Sequence, residues 1–195
     1  MRKENWFKLI FAVIRPVSLV FPQKTVGREN LPEGPALVCA NHSSGLDPFM
    51  VAFAAGWGTY LRMMAKAELR KLPVIGWVFH KAGVIFVKRG ERDIDSFKSS
   101  LRALKSGEKL MLFPEGTRVR GEDTVAAKTG AIHMAMRSGV PIVPVYVPRH
   151  KKPFRVNRVV IGQPYYVTVE NRDELDGQAQ QLMERIWALG EEKHG

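Results

Sequence analysis

From Gly34 onward, short runs of β-branched or apolar residues alternate with stretches of helical spacing, and this pattern constrains the fold more than any other feature. Such interleaving is the signature of an α/β sheet. The apolar runs predict strands at Ala36–Ala40, Tyr60–Met64, Val84–Val87, Lys109–Phe113, Ile142–Val147 and Val156–Ile161. Spacing of three and four predicts helices at Pro48–Ala55, Val74–Lys81, Ile94–Ser106, Thr129–Ser138 and Asp173–Leu189. With 195 residues, 45% of them hydrophobic, the chain can bury one full core. No repeat, low-complexity tract or Pro/Ser-rich linker divides it. The charge-rich, patternless segment Val119–Ala127 reads as a loop.

The amino end follows a different rule. Trp6 to Phe21 is strongly apolar, but Lys8, Arg15 and Pro16 interrupt it and no small-residue cleavage site follows, so a cleaved signal peptide is not expected. The longest stretch without Asp, Glu, Lys or Arg is Pro48 to Leu61, fourteen residues. Crossing a bilayer as a helix takes roughly 20. At helical spacing Glu4, Lys8, Arg15 and Ser18 share one narrow face, and Trp6, Phe7, Leu9, Ile10, Phe11, Val13 and Ile14 cover the rest. Such a helix either docks on a core or lies in a membrane interface. Its mixture of aromatic and cationic residues favours the interface, with Lys8, Arg15, Lys24 and Arg28 toward anionic head groups. The chain thus divides into an interface helix over residues 1–26 and a folded domain over 27–195.

Charge narrows the partners. Thirty Lys and Arg against nineteen Asp and Glu leave a formal net charge of +11, which calls for an anionic partner. No helix-turn-helix, RNA-recognition or zinc-finger pattern accompanies that charge, so nucleic acid is not expected, and phospholipid or a phosphorylated substrate remains. Cys39 is the single cysteine, which excludes an intrachain disulfide and leaves a Cys-based zinc site with too few ligands. No metal is expected, and Cys39, inside a strand, reads as a buried structural thiol.

Two clusters fall just after strands. The first is Asn41-His42-Ser43-Ser44-Gly45-Leu46-Asp47-Pro48. Gly45 permits a tight turn, Pro48 suits the first helical position and Asp47 suits the N-cap, so capping alone would explain much of it. If the turn folds His42 back on Asp47, a carboxylate on one ring nitrogen fixes the tautomer and leaves the other as a proton acceptor. With an intrinsic pKa of about 6.5, that imidazole is a general base. The second cluster, Phe113-Pro114-Glu115-Gly116-Thr117-Arg118, ends a strand, where α/β sheets bind ligands. It reads either as a plain turn or as a phosphate site, with Arg118 the fork-shaped donor and the Gly116 backbone free to approach.

Together these clusters resemble the 1-acyl-sn-glycerol-3-phosphate acyltransferases, which make phosphatidic acid from lysophosphatidic acid. His42 and Asp47 match that family's His-four-residues-Asp motif, and residues 113–118 match its Phe-Pro-Glu-Gly-Thr-Arg motif without a mismatch. Weaker blocks, Gly83-Val84-Ile85-Phe86-Val87-Lys88-Arg89 and Val140-Pro141-Ile142-Val143-Pro144-Val145, keep the family's order, so the resemblance spans about residues 27–165. Lys88 stands where many relatives carry an acid, Val119 where a serine is common, and one apolar segment precedes the domain where relatives can have a helical hairpin.

The resemblance implies a central mixed, largely parallel sheet flanked by helices, in a protein on the cytoplasmic face of a membrane. It also implies transfer of an acyl group from acyl-CoA or acyl carrier protein to the sn-2 hydroxyl of a lysophospholipid. His42 would be the base with Asp47 behind it, and no cofactor would be needed beyond the thioester co-substrate. A thiol leaves as thiolate at a pKa of about 8.5, so one base suffices. No Gly-x-Ser-x-Gly elbow is present, which argues against a covalent acyl-enzyme through Ser43 or Ser44. Phosphate binding would fall to Arg118, Lys66 and Arg89, with Glu115, Gly116 and Thr117 shaping the loop. Glu115 is expected to orient Arg118 or the loop, its pKa held down by neighbouring cations. Phe49, Phe53 and Trp57 are expected to form the acyl groove. His80, His133, His150 and His194 read as core, helix-surface, loop and tail residues. A different lysolipid acceptor, or a non-catalytic membrane-surface lipid-binding protein, is the alternative.

Overall fold

The computed structural model describes residues 2–88, 93–119, 125–168, 171 and 173–191. Seven strands, β1 (Gln23–Val26), β2 (Leu37–Ala40), β3 (Leu61–Lys66), β4 (Ile85–Val87), β5 (Lys109–Leu112), β6 (Ile142–Tyr146) and β7 (Asn157–Ile161), form one sheet in the order β1-β7-β6-β2-β5-β3-β4. The helices are α1 (Lys3–Ile14), α2 (Val17–Val20), α3 (Asp47–Ala55), α4 (Pro73–Lys81), α5 (Ile94–Lys105), α6 (Gly130–Ser138) and α7 (Glu174–Glu191). The α/β class expected from the alternation is the class observed.

The five strands β2 to β6 run parallel, and β7 turns antiparallel to β6. Period-two side-chain direction splits each central strand between two cores. Val38 and Ala40 of β2, Met111 of β5 and Val143 and Val145 of β6 face α3 and α1. Leu37, Cys39, Leu110, Leu112 and Ile142 face the opposite core, filled by α5, α6 and α7 residues such as Leu104, Ile132, Leu182 and Ile186. Burial on both faces is why these strands read as unbroken apolar runs. From β2 the chain runs outward to β3 and β4, returns to β5, then crosses to β6 on the other side of β2. That reversal makes the carboxyl ends of β2 and β5 a topological switch point, where a crevice opens.

One strand was not foreseen. Gln23–Val26 pairs in parallel with β7, Gln23 opposite Asn157 and Val26 opposite Val160. Its residues are short of apolar signal because β1 is a sheet edge. Lys24, expected to face head groups, is an exposed residue of this strand. Arg28 has a different employment: its Nε donates to Ala54 O at 2.8 Å, satisfying a carbonyl at the negative end of α3.

The amino-terminal helix uses two faces. Phe7 and Phe11 are buried in the core beneath α3, with Phe11 edge-on to Phe53 and Trp57 at 4.4 and 5.2 Å between ring centroids. Lys3, at its start, pairs with Glu108, which also takes Arg62. On the outer side Leu9 and Val13 of α1 remain exposed, Val13 by 71%, and Leu19 of the following α2 is 77% exposed. No helix among the described residues is long and apolar enough to cross a membrane.

Candidate active site

β2 delivers His42 to the crevice, and α3 returns Asp47 beneath it. His42 Nδ1 lies 3.0 Å from Asp47 Oδ2, and both side chains are buried. The same oxygen accepts the backbone N–H groups of Ser43 at 2.6 Å and Ser44 at 2.7 Å. Asp47 therefore does not cap α3 as its position suggested; its carboxylate turns back to close the loop that carries the histidine. Burial alone would raise the Asp47 pKa, but His42, Lys151 and the Ser44 amide together hold it below the usual carboxylate value. An ionised Asp47 selects the Nδ1–H tautomer and leaves Nε2 as a proton acceptor. The ring of Phe113 stacks on His42, 4.0 Å between centroids and 17° from parallel, which fixes the plane of the imidazole.

The loop after β5 grips the histidine backbone from both sides. Glu115 Oε2 accepts the His42 N–H at 2.8 Å, and the Val119 N–H donates to His42 O at 2.8 Å. Glu115 thus faces the His42 loop, and its expected low pKa is overturned. Burial pushes its carboxyl up to about 7, against the pull of the His42 N–H and Arg149. Glu115 and Arg118, on either side of the left-handed turn at Gly116, φ 67°, line different cavities. On a third side, Asn41 Nδ2 donates to Val147 O and its Oδ1 accepts the Val147 N–H, each at 2.8 Å, joining the exits of β2 and β6.

His42 lines a cavity of about 630 Å³. Phe49, Met63, Leu69, Phe79, Val84 and Phe113 supply apolar wall, and Lys66, Thr117 and Arg118 supply polar edge. Lys66 reaches it as the last residue of β3, and Arg118 lies over the His42 loop, so close that a Cβ on Gly45 would sit 3.4 Å from its guanidinium. The two sequence clusters therefore meet in one space.

Other expectations need correction. Phe53, on α3, and Trp57, just beyond its end, pack on Phe11 of α1 and do not line this cavity. Gly116 lines a neighbouring cavity, where the Lys128 side chain lies so near that a Cβ would meet it at 2.8 Å. Arg89 lies outside the described residues, as does His194. His80 is exposed in the last turn of α4, whose one buried residue is Gly76. Cys39 is buried, and burial raises its thiol far above the ordinary value. Asn41 and Lys151 escaped notice as site residues. An Asn closing an apolar strand was a signal for the first, while Lys151 carried none beyond its charge.

An imidazole base at the switch point of an α/β sheet, opening on a cation-edged apolar cavity, is the equipment for deprotonating a hydroxyl on an amphiphilic anion. The matches to known proteins agree with that class. The chain belongs to the Acyltransferase family, whose profile matches residues 23–148, from the first residue of β1 to just beyond β6. It is 37% identical over 131 residues to the 1-acyl-sn-glycerol-3-phosphate acyltransferase of Saccharomyces cerevisiae, covering 64% of this chain and 42% of that protein. Over 118 residues it is 36% identical to the lyso-ornithine lipid O-acyltransferase of Pseudomonas aeruginosa, covering 60% of this chain and 44% of the other. Both alignments span less than half of the relative's length. The crystal structure of the 1-acyl-sn-glycerophosphate acyltransferase PlsC from Thermotoga maritima superposes with a TM-score of 0.68 over the whole of both chains at 22% identity, which shows a shared fold.

The raised Glu115 pKa has a consequence for stability. Its carboxyl ionises near pH 7 in the folded chain, against a reference of 4.5. The folded state thus holds a proton that the unfolded chain releases first, and stability falls as pH rises between those values. Glu115→Gln keeps an oxygen for the His42 N–H and removes the titration. Urea melts are expected to show the variant more stable than the parent at about pH 8, by up to about 3 kcal/mol, with the difference gone at about pH 4.

Proposed function

We propose that the chain transfers a fatty acyl group from acyl-CoA or acyl carrier protein to the sn-2 hydroxyl of 1-acyl-sn-glycerol-3-phosphate, forming phosphatidic acid. The observation that carries this reading is the opening of the His42–Asp47 pair onto the same cavity as Arg118 and Lys66. The relatives named as 1-acyl-sn-glycerol-3-phosphate acyltransferases support the acceptor. With the phosphate held by Arg118 and Lys66 and the acyl chain along the apolar wall, the free hydroxyl lies beside His42. Nε2 takes the hydroxyl proton as the oxygen attacks the thioester carbonyl carbon. The C–O bond forms, the tetrahedral intermediate collapses and the C–S bond breaks. Sulfur departs with the electron pair as a thiolate, which then takes a proton from the imidazolium or water. Asp47 steadies the imidazolium while it lasts. The reaction needs no covalent acyl-enzyme and no cofactor beyond the thioester.

The substrate is itself a membrane amphiphile, and the outer face of the amino-terminal segment suits a lipid surface. Leu9, Val13 and Leu19 are exposed among Lys8 and Arg15, an apolar face with cations beside it. The match to the lyso-ornithine lipid O-acyltransferase favours a second reading, in which the acceptor is a different lysolipid.

Purified protein mixed with lysophosphatidic acid and each donor in turn is expected to yield phosphatidic acid by mass spectrometry, and His42→Ala to lower its formation by about 10³-fold or more. A product from lyso-ornithine lipid alone would select the second reading, and a hydrolysed donor without acylated lipid would exclude both. Arg118→Ala is expected to raise KM for lysophosphatidic acid about tenfold while sparing phosphate-free acceptors; equal losses on both would remove the phosphate contact. In vesicle sedimentation, Val13→Asp with Leu19→Asp is expected to weaken binding to anionic vesicles several-fold, whereas unchanged binding would assign membrane contact elsewhere.

A further inference from the structure

Lys151 lies three residues beyond the family match, on the segment from β6 to β7, and carries a buried charge. Its side chain is 5% exposed. Its Nζ pairs with Asp47 Oδ1, the oxygen that His42 does not use, and donates to Ser43 Oγ at 2.7 Å. Lysine is almost never so buried without a partner, and a buried ion pair adds little to stability compared with apolar packing. The Ser43 and Ser44 amides already occupy the Asp47 oxygen that His42 uses, so the ammonium on the other oxygen supplies charge that these hydrogen bonds do not. The segment is braced on both sides of the lysine. Asn41 holds Val147 upstream; downstream, Asn157 Oδ1 accepts the Lys152 N–H and its Nδ2 donates to the carbonyls of Lys152 and Arg155.

We propose that Lys151 is a positioning residue for the dyad: its ammonium, clamped between Asp47 and Ser43, orients the carboxylate and balances its charge as felt by His42. This rests on the reading of His42 as the general base. A carboxylate acting alone on an imidazole favours the imidazolium, which cannot accept a proton. The cation on its far oxygen opposes that bias while leaving the Nδ1 hydrogen bond in place. The other charged groups around His42 are Glu115 and Arg118 on the segment after β5, Arg149 near Glu115, and Lys66 at the end of β3; Phe113 covers one ring face. Lys151 is the cation paired directly to the dyad carboxylate.

The test has two readouts. In acyl transfer, Lys151→Met is expected to lower kcat about tenfold at neutral pH, with KM for the acceptor unchanged. The rising limb of its pH–rate profile should move about one pH unit upward, so that much of the rate returns at higher pH. Lys151→Arg, which keeps the charge, should restore the limb. In the full chain without substrate, NMR titration of the labelled His42 ring is expected to show the same upward move in Lys151→Met and its reversal in Lys151→Arg. This second readout is independent of turnover. If the parent protein does not acylate lysolipid, the proposed function fails, while the titration still decides the role of Lys151. Lys151→Gln serves where the methionine variant does not fold. An unshifted His42 titration in whichever variant folds overturns the proposal, and so does loss of folding in both, which would make Lys151 structural.

Discussion

Everything at the site hangs on one buried carboxylate. Asp47 is fully removed from solvent, and its oxygens are shared among the His42 ring, the amides of Ser43 and Ser44 and the ammonium of Lys151. A carboxylate in an apolar interior is tolerated only when its lone pairs are met by donors, so its burial forces those groups to converge. They come from the exit of β2, the start of α3 and the segment after β6. One desolvated charge therefore ties three parts of the chain to a common point and aims the imidazole at the cavity.

The sheet supplies the place where this can happen. β2 lies between β5 and β6, so the loops leaving all three strands emerge side by side at one edge. Each neighbour contributes a tie: Glu115 and Val119 to the His42 backbone, and Val147 to Asn41. Because strands are stiff and these bonds are buried, the dyad is placed by backbone geometry and its orientation costs little when a substrate arrives. The cavity wall is built differently, from side chains of α3, β3, α4 and the turn between them, surfaces suited to an acyl chain.

Legibility varied with the kind of signal. The central strands were readable because burial on both faces leaves apolar runs, and the helices because one apolar face repeats at helical spacing. β1 was not, since an edge strand such as Gln23–Val26 needs few apolar side chains. The motifs group His42, Asp47, Arg118 and Lys66 at one site, and in the fold His42, Lys66 and Arg118 line one cavity with Asp47 behind the imidazole. Phe53 and Trp57 pack on Phe11 and not along the His42 cavity, because apolar character alone does not say whether α1 or a ligand covers a side chain. For Glu115 the sequence suggests cations that would lower its pKa, whereas in space its burial, with Asp47 nearby, outweighs the His42 amide and Arg149.

The amino-acid sequence alone determined the α/β class, the positions of the two motifs after their strands and the presence of a histidine and a carboxylate five residues apart. These are local properties, written in periodicity, turn chemistry and spacing. Only the tertiary structure decided which oxygen of Asp47 meets which partner, that Glu115 carries a raised pKa, that the amino-terminal helix buries Phe7 and Phe11 while exposing Leu9 and Val13, and that Lys151 joins the dyad from more than a hundred residues away. Desolvation and long-range pairing depend on what the folded chain packs against each group, and no local pattern encodes that.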